Sequence, residues 1–210
     1  MAWAWDSWVA SIASFSWASA SPENATRTVG GTVEIDGAFF GGYVKPENHK
    51  ADRKDRRLKE NQSGKRMAVV VMRERNGRTL PLVFDDESDA LDSIHARVRH
   101  GSTVHADEAS CWDALHARFS AKRINHSVSF SDKGACTNQA ESFFSRLRRA
   151  EIGTHHHISG RYLHQYANEM AWREDNRRQP NGTLFGLAVN AALAHPVSKN
   201  WKGYWQRRAV

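Results

Sequence analysis

The chain of 210 residues sets 30 Lys and Arg against 23 Asp and Glu, a net charge of +7: enough length for one main core, and a balance that favours a polyanionic partner. Cys111 and Cys136 are the only cysteines, and no C-x-x-C pair exists, which excludes a disulfide scaffold and a ribbon-type zinc site and suits a reducing, cytoplasmic setting. No run approaches the ~20 apolar residues that a membrane span needs, so a soluble protein without a membrane partner is expected.

The first segment, MAWAWDSWVASIASFSWASASPENA, holds four of the eight tryptophans and almost no charge. Ala18-Ser19-Ala20 imitates a signal cleavage site, but the basic n-region is missing and Asp6 comes early. Residues 1–28 are therefore read as an atypical, poorly ordered extension. From Thr32 to Tyr43, TVEIDGAFFGGY alternates and closes on Gly41-Gly42, which predicts a strand and a turn. Between Lys45 and Arg66 lie nine basic and four acidic residues, among them Arg56 and Arg57, too charged for a core and suited to an exposed arm. RMAVVVMRER predicts a second strand, Asn76-Gly77 a hairpin turn, and TLPLVFD its partner at a sheet edge, where Pro81 is tolerated.

ESDALDSIHARVRH has helical spacing, GSTVHAD predicts a strand ending at Asp107, and EASCWDALHARF predicts a helix. RINHSVSF predicts a short strand, SDKGACTN a turn-rich connection, a helix begins at Asn138, and YLHQYANEMAWREDNRR predicts another. After Asp175 the chain has six basic residues, Arg177 and Arg178 among them, and no acidic one. The order is three hairpin-joined strands, then a fourth reached by a crossover helix, then helices: an α/β mixed sheet flanked by helices, with the main domain over 29–180 and a basic segment over 181–210.

Three carboxylates occupy telling places in that order. Asp36 lies inside the first strand, Asp107 ends the fourth, and Glu141 begins a late helix. A charge in an apolar strand is costly unless it is paired, binds a cation or turns to a solvated face. Three oxygen ligands at one site suit Mg²⁺, and two such ions can stabilise the entering and leaving oxygens of a phosphoryl displacement. His155-His156-His157 is a weaker metal candidate, because consecutive side chains point apart, and neither cysteine sits in a recognisable Cys-His hydrolase signature. At 100° per residue, Ala140, Phe143, Phe144 and Leu147 form an apolar stripe on the late helix, with Glu141 and Arg148 together at its border and Asn138 about 60° away.

VEIDGAFFGGYVKP, VHADEASCWDALHARF, INHS and ACTNQAESFFSRLRRAEIGTHHHISGRYLHQYANEMAWREDNRR together resemble the catalytic domain of bacterial insertion-sequence DDE transposases, in the family numbered fifteen-ninety-five with its XO-two-like domain. The resemblance runs from about Gly30 onward and implies a ribonuclease-H-like fold. It implies Asp36, Asp107 and Glu141 as catalytic ligands of two Mg²⁺ or Mn²⁺ ions, with Arg148 as the basic residue seven positions after the third acid. Some members use asparagine as the third catalytic group, so Asn138 stands beside Glu141 as a candidate. The implied partners are the element's DNA ends and target DNA, held by a homo-oligomer associated with the nucleoid. Phosphate contacts are expected from Lys45, Arg56, Arg57, Arg146, Arg148, Arg149, Arg177 and Arg178. Family members usually begin with a zinc ribbon and a helix-turn-helix-like region; neither pattern precedes this domain, so no zinc is expected and a truncated copy is the reading. An inactive DNA-binding remnant and a nuclease without strand transfer are the rival readings.

Overall fold

The computed structural model describes residues 27–42, 47–55, 61, 64–107, 109–124 and 136–194. The residues singled out at Lys45, Arg56 and Arg57, and almost all of the N-terminal extension, lie outside the described residues. Five strands, β1 (Thr32–Gly41), β2 (Arg66–Glu74), β3 (Thr79–Phe84), β4 (Thr103–Asp107) and β5 (Ser120–Ile124), form one sheet in the order β3-β2-β1-β4-β5. The first three are antiparallel, while β4 runs parallel to β1 and β5 parallel to β4. This mixed α/β sheet, flanked by helices, is the one that the order of elements predicts, and it agrees with the ribonuclease-H-like fold that the resemblance implies.

Local chemistry explains most of the elements. Asn76, with φ of 58°, turns the β2–β3 hairpin. Pro81 pairs with Val71 on the edge strand, where its missing N–H leaves no inner ladder bond unmade. A short 3₁₀ turn (Glu87–Ala90) begins with a capping box between Asp86 and Asp89 and leads into α1 (Leu91–Arg97). α1 ends sooner than its pattern predicts because Val98 turns extended and bridges to Val29.

Between β4 and β5 the chain forms a 3₁₀ stretch (Ser110–Ala117) rather than the expected α-helix. Trp112 and Leu115, three residues apart and fully buried, stack on one side of a three-residue turn, so the tighter helix buries both across a short connection. β5 starts at Ser120, three residues ahead of the expected start at Arg123, and the rest of that predicted strand, residues 125–130, lies outside the described residues.

The late helices are α2 (Asn138–Arg149), prolonged by a π-helical turn (Ala150–Thr154), and α3 (Leu163–Asn176). A helix not expected from the sequence, α4 (Asn181–Ala194), follows Pro180, whose carbonyl accepts from the Leu184 amide. It has no charged residue and leaves Phe185 and Leu193 well exposed, so no amphipathic stripe announces it.

Strand alternation splits the core in two. Val33, Ile35, Val70, Met72, Val104 and Ala106 point to one face, where Ile94, Trp112 and Leu115 cover them. Ala38, Phe40, Val69 and Val71 point to the other, under Phe143, Phe144 and Leu147 of α2 and Leu163, Ala167 and Ala171 of α3. The second face also receives Glu34, Asp36, Arg73, His105 and Asp107, by the same two-residue period.

Candidate active site

Asp36 and Asp107 reach the same place because their strands are in register. β1 and β4 pair in parallel through Glu34 opposite His105 and Ile35 opposite Ala106, and each aspartate is the next residue along. Asp36 is half-buried; its Oδ1 accepts from the Gly37 amide at 2.8 Å. Asp107 ends β4, where its Oδ1 accepts from the Ala109 amide at 3.1 Å and its carbonyl accepts from Arg123 Nε. Glu141 lies in the first turn of α2, on the polar border beside the stripe that packs on the sheet.

A cleft of ≈ 480 Å³ lies between β1 and α2, lined by Asp36, Gly37, Ala38, Glu141, Phe144, Ser145, Arg148 and Arg149. Burial pushes the Asp36 carboxyl up to about 7, and the charges of Asp107, Glu141 and Glu87 add to that rise, against the lowering effect of the Gly37 amide. Four carboxylates thus act on one another around this end of the sheet.

Glu87 is the one that sequence reasoning does not pick out. Its side chain lies so close over Gly37 that a Cβ there would stand 2.5 Å from the Glu87 Oε1, so glycine beside Asp36 makes room for it. Burial and then the Asp107 charge raise the Glu87 pKa. The available signal in the sequence is only a position just after β3, at the start of a helix that also carries Asp86 and Asp89.

Arg148 lines the cleft two turns along α2 from Glu141, with its guanidinium 5.8 Å from the Phe40 ring centroid, a cation–π distance. Arg148 and Arg149 are exposed. Arg146 instead ion-pairs with Glu174 of α3, and Arg177 lies 3.4 Å from the same carboxylate. Arg178 is exposed at the end of α3. Asn138, the first residue of α2, is exposed and is not among the residues lining the cleft. His155 packs against Tyr166 at 4.4 Å between ring centroids, and burial lowers its pKa.

The donors that surround Asp36 are carboxylate oxygens, the set that Mg²⁺ and Mn²⁺ take. Among the described residues no three His, Cys, Asp or Glu groups already stand in ligand geometry. The fit is therefore one of chemistry and of a shared cleft: mutually repelling carboxylates with an unfavourably high Asp36 pKa are what a divalent cation neutralises. Among the described residues, no helix is long and apolar enough to cross a membrane.

Comparison with curated proteins finds no match, and comparison with solved structures finds none. The model of the ISXO2-like transposase domain matches residues 28–175, a span that contains every strand of the sheet, the cleft, α2 and nearly all of α3. The chain belongs to the ISXO2-like transposase domain family.

Proposed function

We propose that the chain catalyses metal-dependent DNA strand cleavage and strand transfer, with Asp36, Asp107 and Glu141 as the acidic triad. The observation that supports this most is the state of Asp36: a carboxylate inside a core strand, half-buried, whose pKa rises to about 7 through burial and through the charges of Asp107 and Glu141. A fold gains nothing in stability from that arrangement, and such perturbed groups concentrate at reactive sites. Two divalent ions, when bound to such a triad, activate the phosphodiester and stabilise its entering and leaving oxygens.

The chain's own residues supply the rest. Asp36 and Glu141 line one cleft from a strand and a helix, and Asp107, whose charge acts on Asp36, ends the neighbouring strand, so the site depends on the whole sheet-to-helix packing. Arg148 and Arg149 attract the DNA backbone, and the Phe40 ring restrains Arg148 where a phosphate beside Glu141 can meet it. Water is the nucleophile for cleavage, breaking the phosphodiester and leaving a 3′-hydroxyl. That hydroxyl then attacks a target phosphodiester, so one bond forms as another breaks. Arg178 extends the basic surface, whereas Arg146 and Arg177 are engaged by Glu174 and contribute less. DNA is the partner and the nucleoid the place of action, with assembly into a homo-oligomer on paired ends.

The test is incubation of the full chain with labelled DNA ends and Mn²⁺. Joined products support the reading, cleavage without joining points to a nuclease, and salt-sensitive binding without cleavage points to a DNA-binding remnant. Undiminished cleavage by Asp107→Ala would sink the triad.

A further inference from the structure

Among the described residues, Glu34 is the most completely enclosed carboxylate. It has no exposed surface and lies two residues before Asp36, on the same face of β1. Its Oε2 accepts from the backbone amides of Gln139 at 2.8 Å and Ala140 at 3.2 Å. Its Oε1 accepts from Arg75 Nε at 2.9 Å, with the Cys136 thiol 3.8 Å away.

Gln139 and Ala140 are the second and third residues of α2, the positions whose amides an N-cap side chain normally satisfies. The local N-cap, Thr137, makes no such bond. The cap comes instead from a strand more than a hundred residues earlier. A full negative charge at that helix end is also favoured by the helix dipole.

The segment leading into α2 is held by the same group of residues. Arg75 Nη2 donates to the Cys136 carbonyl at 3.2 Å and to His105 Nδ1 at 3.1 Å, and the Cys136 amide donates to that same His105 nitrogen at 3.2 Å. His105 precedes Asp107 by two residues on the same face of β4, as Glu34 precedes Asp36. Each strand that carries an aspartate of the triad therefore also carries, one pleat earlier, a residue that grips the start of the helix bearing Glu141.

We propose that Glu34 is a positioning residue for the catalytic centre: by capping α2 across the sheet it fixes Glu141, the very next residue after Ala140, at a set distance from Asp36. The inference rests on the catalytic reading above. Arg75 and His105 support it by holding the Glu34 carboxylate and the Cys136 peptide in place. A merely stabilising cap would leave metal affinity alone; a positioning one sets it, since partners that orient ligands typically change metal affinity by roughly 10–100-fold.

The full chain with Glu34→Ala, Glu34→Gln and Asp36→Asn tests this by two readouts: Mn²⁺ binding followed by calorimetry, and hydrogen exchange at the Gln139 and Ala140 amides. Glu34→Ala is expected to speed exchange at both amides and to weaken Mn²⁺ binding by about 10–100-fold. Glu34→Gln, whose side-chain oxygen can still accept from the amides, is expected to recover most of both. Wild-type Mn²⁺ affinity in Glu34→Ala, or unchanged amide protection in it, overturns the proposal. If the alanine variant does not fold, the glutamine variant decides: affinity that tracks its amide protection supports positioning, and a tenfold loss with full protection overturns it. Asp36→Asn separates the two readings, because Mn²⁺ binding that survives it refutes the triad while the exchange data still judge the cap.

Discussion

The two faces of the sheet come from the same five strands and are built on opposite rules. On one, Val33, Ile35, Met72 and Val104 meet Ile94, Trp112 and Leu115 in an apolar layer. On the other, the apolar patch under α2 and α3 shares its strands with Glu34, Asp36, Arg73, His105 and Asp107. Burying charge is unfavourable unless partners compensate it, and the second face sorts its charges by that criterion. Glu34 has Arg75 and two amides; Arg73 has Asp175 at 2.8 Å and Glu174 at 3.7 Å. Asp36 has the adjacent Gly37 amide and a set of repelling carboxylates. Compensated charges hold helices on the sheet, and the uncompensated one lies where the proposed chemistry would take place.

The sharpest way to break this contrast is to exchange the roles of the faces. Asp36→Asn and Asp107→Asn are expected to lower Mn²⁺-dependent cleavage by roughly 10³-fold or more with the fold intact, measured as single-turnover rates beside circular dichroism. Trp112→Ala on the apolar face should do the reverse, costing about 3–5 kcal/mol in denaturant unfolding while the folded fraction keeps its rate. An aspartate variant that unfolds, or a tryptophan variant that folds yet loses cleavage, would erase the distinction between the faces.

Arg73→Ala tests the compensated charges within the second face. It leaves Glu174 and Asp175 without the cation that β2 supplies, and removing one member of a buried ion network costs roughly 3–5 kcal/mol. Thr79 and Arg146 still contact those two carboxylates, so the lower end of that range is expected from urea melts. A stability change below about 0.5 kcal/mol would show that α3 is held by its apolar contacts alone.

Much of this arrangement was legible in the residues. Alternation in TVEIDGAFF fixes which side chains share a face, and Asn76-Gly77 with Pro81 fixes the hairpin and the sheet edge. Asp107 at a strand end and Glu141 in a helix's first turn are ordinary places for acids, singled out as a set by the family resemblance, whereas Asp36 stands out because a charge inside a strand violates local apolar patterning. Glu34 violates it equally, two residues from Asp36, yet its partners lie at residues 75, 136, 139 and 140 and only folding brings them together. Glu87 was hidden for a similar reason, since its approach to Gly37 is a tertiary contact. The 3₁₀ stretch at Ser110–Ala117 and the uncharged α4 escape prediction because period and charge, the two local signals, are ambiguous or missing there.

Proton and metal should compete at Asp36, and the sign follows from its raised pKa. The folded state holds this proton up to about pH 7, the unfolded state only to about 3.8, so the stability tied to the protonated carboxyl is complete below the lower value and is lost as pH rises through the higher. Without metal, Asp36→Asn should therefore melt increasingly above wild type from pH 5 to pH 8, by roughly 2–4 °C for each kcal/mol relieved. Mn²⁺ affinity of the wild type should rise with pH up to about 7 and then level off, by at most about tenfold per unit. A flat affinity between pH 5.5 and 7.5 would contradict the raised pKa that burial, and then the neighbouring carboxylates, give Asp36.

The smallest effect is expected from Asn138→Ala, and it bears on the third member of the triad. Asn138 and Glu141 are three residues apart on one helix, near enough that sequence alone leaves both in contention. In the fold Glu141 lines the cleft, whereas Asn138 is exposed at the helix start and absent from that lining. Nor is Asn138 needed to cap α2, because Glu34 accepts from the Gln139 and Ala140 amides. Its removal should leave cleavage within about twofold of wild type and cost less than about 0.5 kcal/mol of stability, as for a surface substitution. Glu141→Gln, which keeps the side chain's size and removes its charge, should lose roughly 10²-fold or more, because a neutral amide oxygen is the poorer ligand for a hard divalent cation. Equal losses in the two variants would mean that the start of α2 turns when metal and DNA bind, bringing Asn138 into the site beside Glu141.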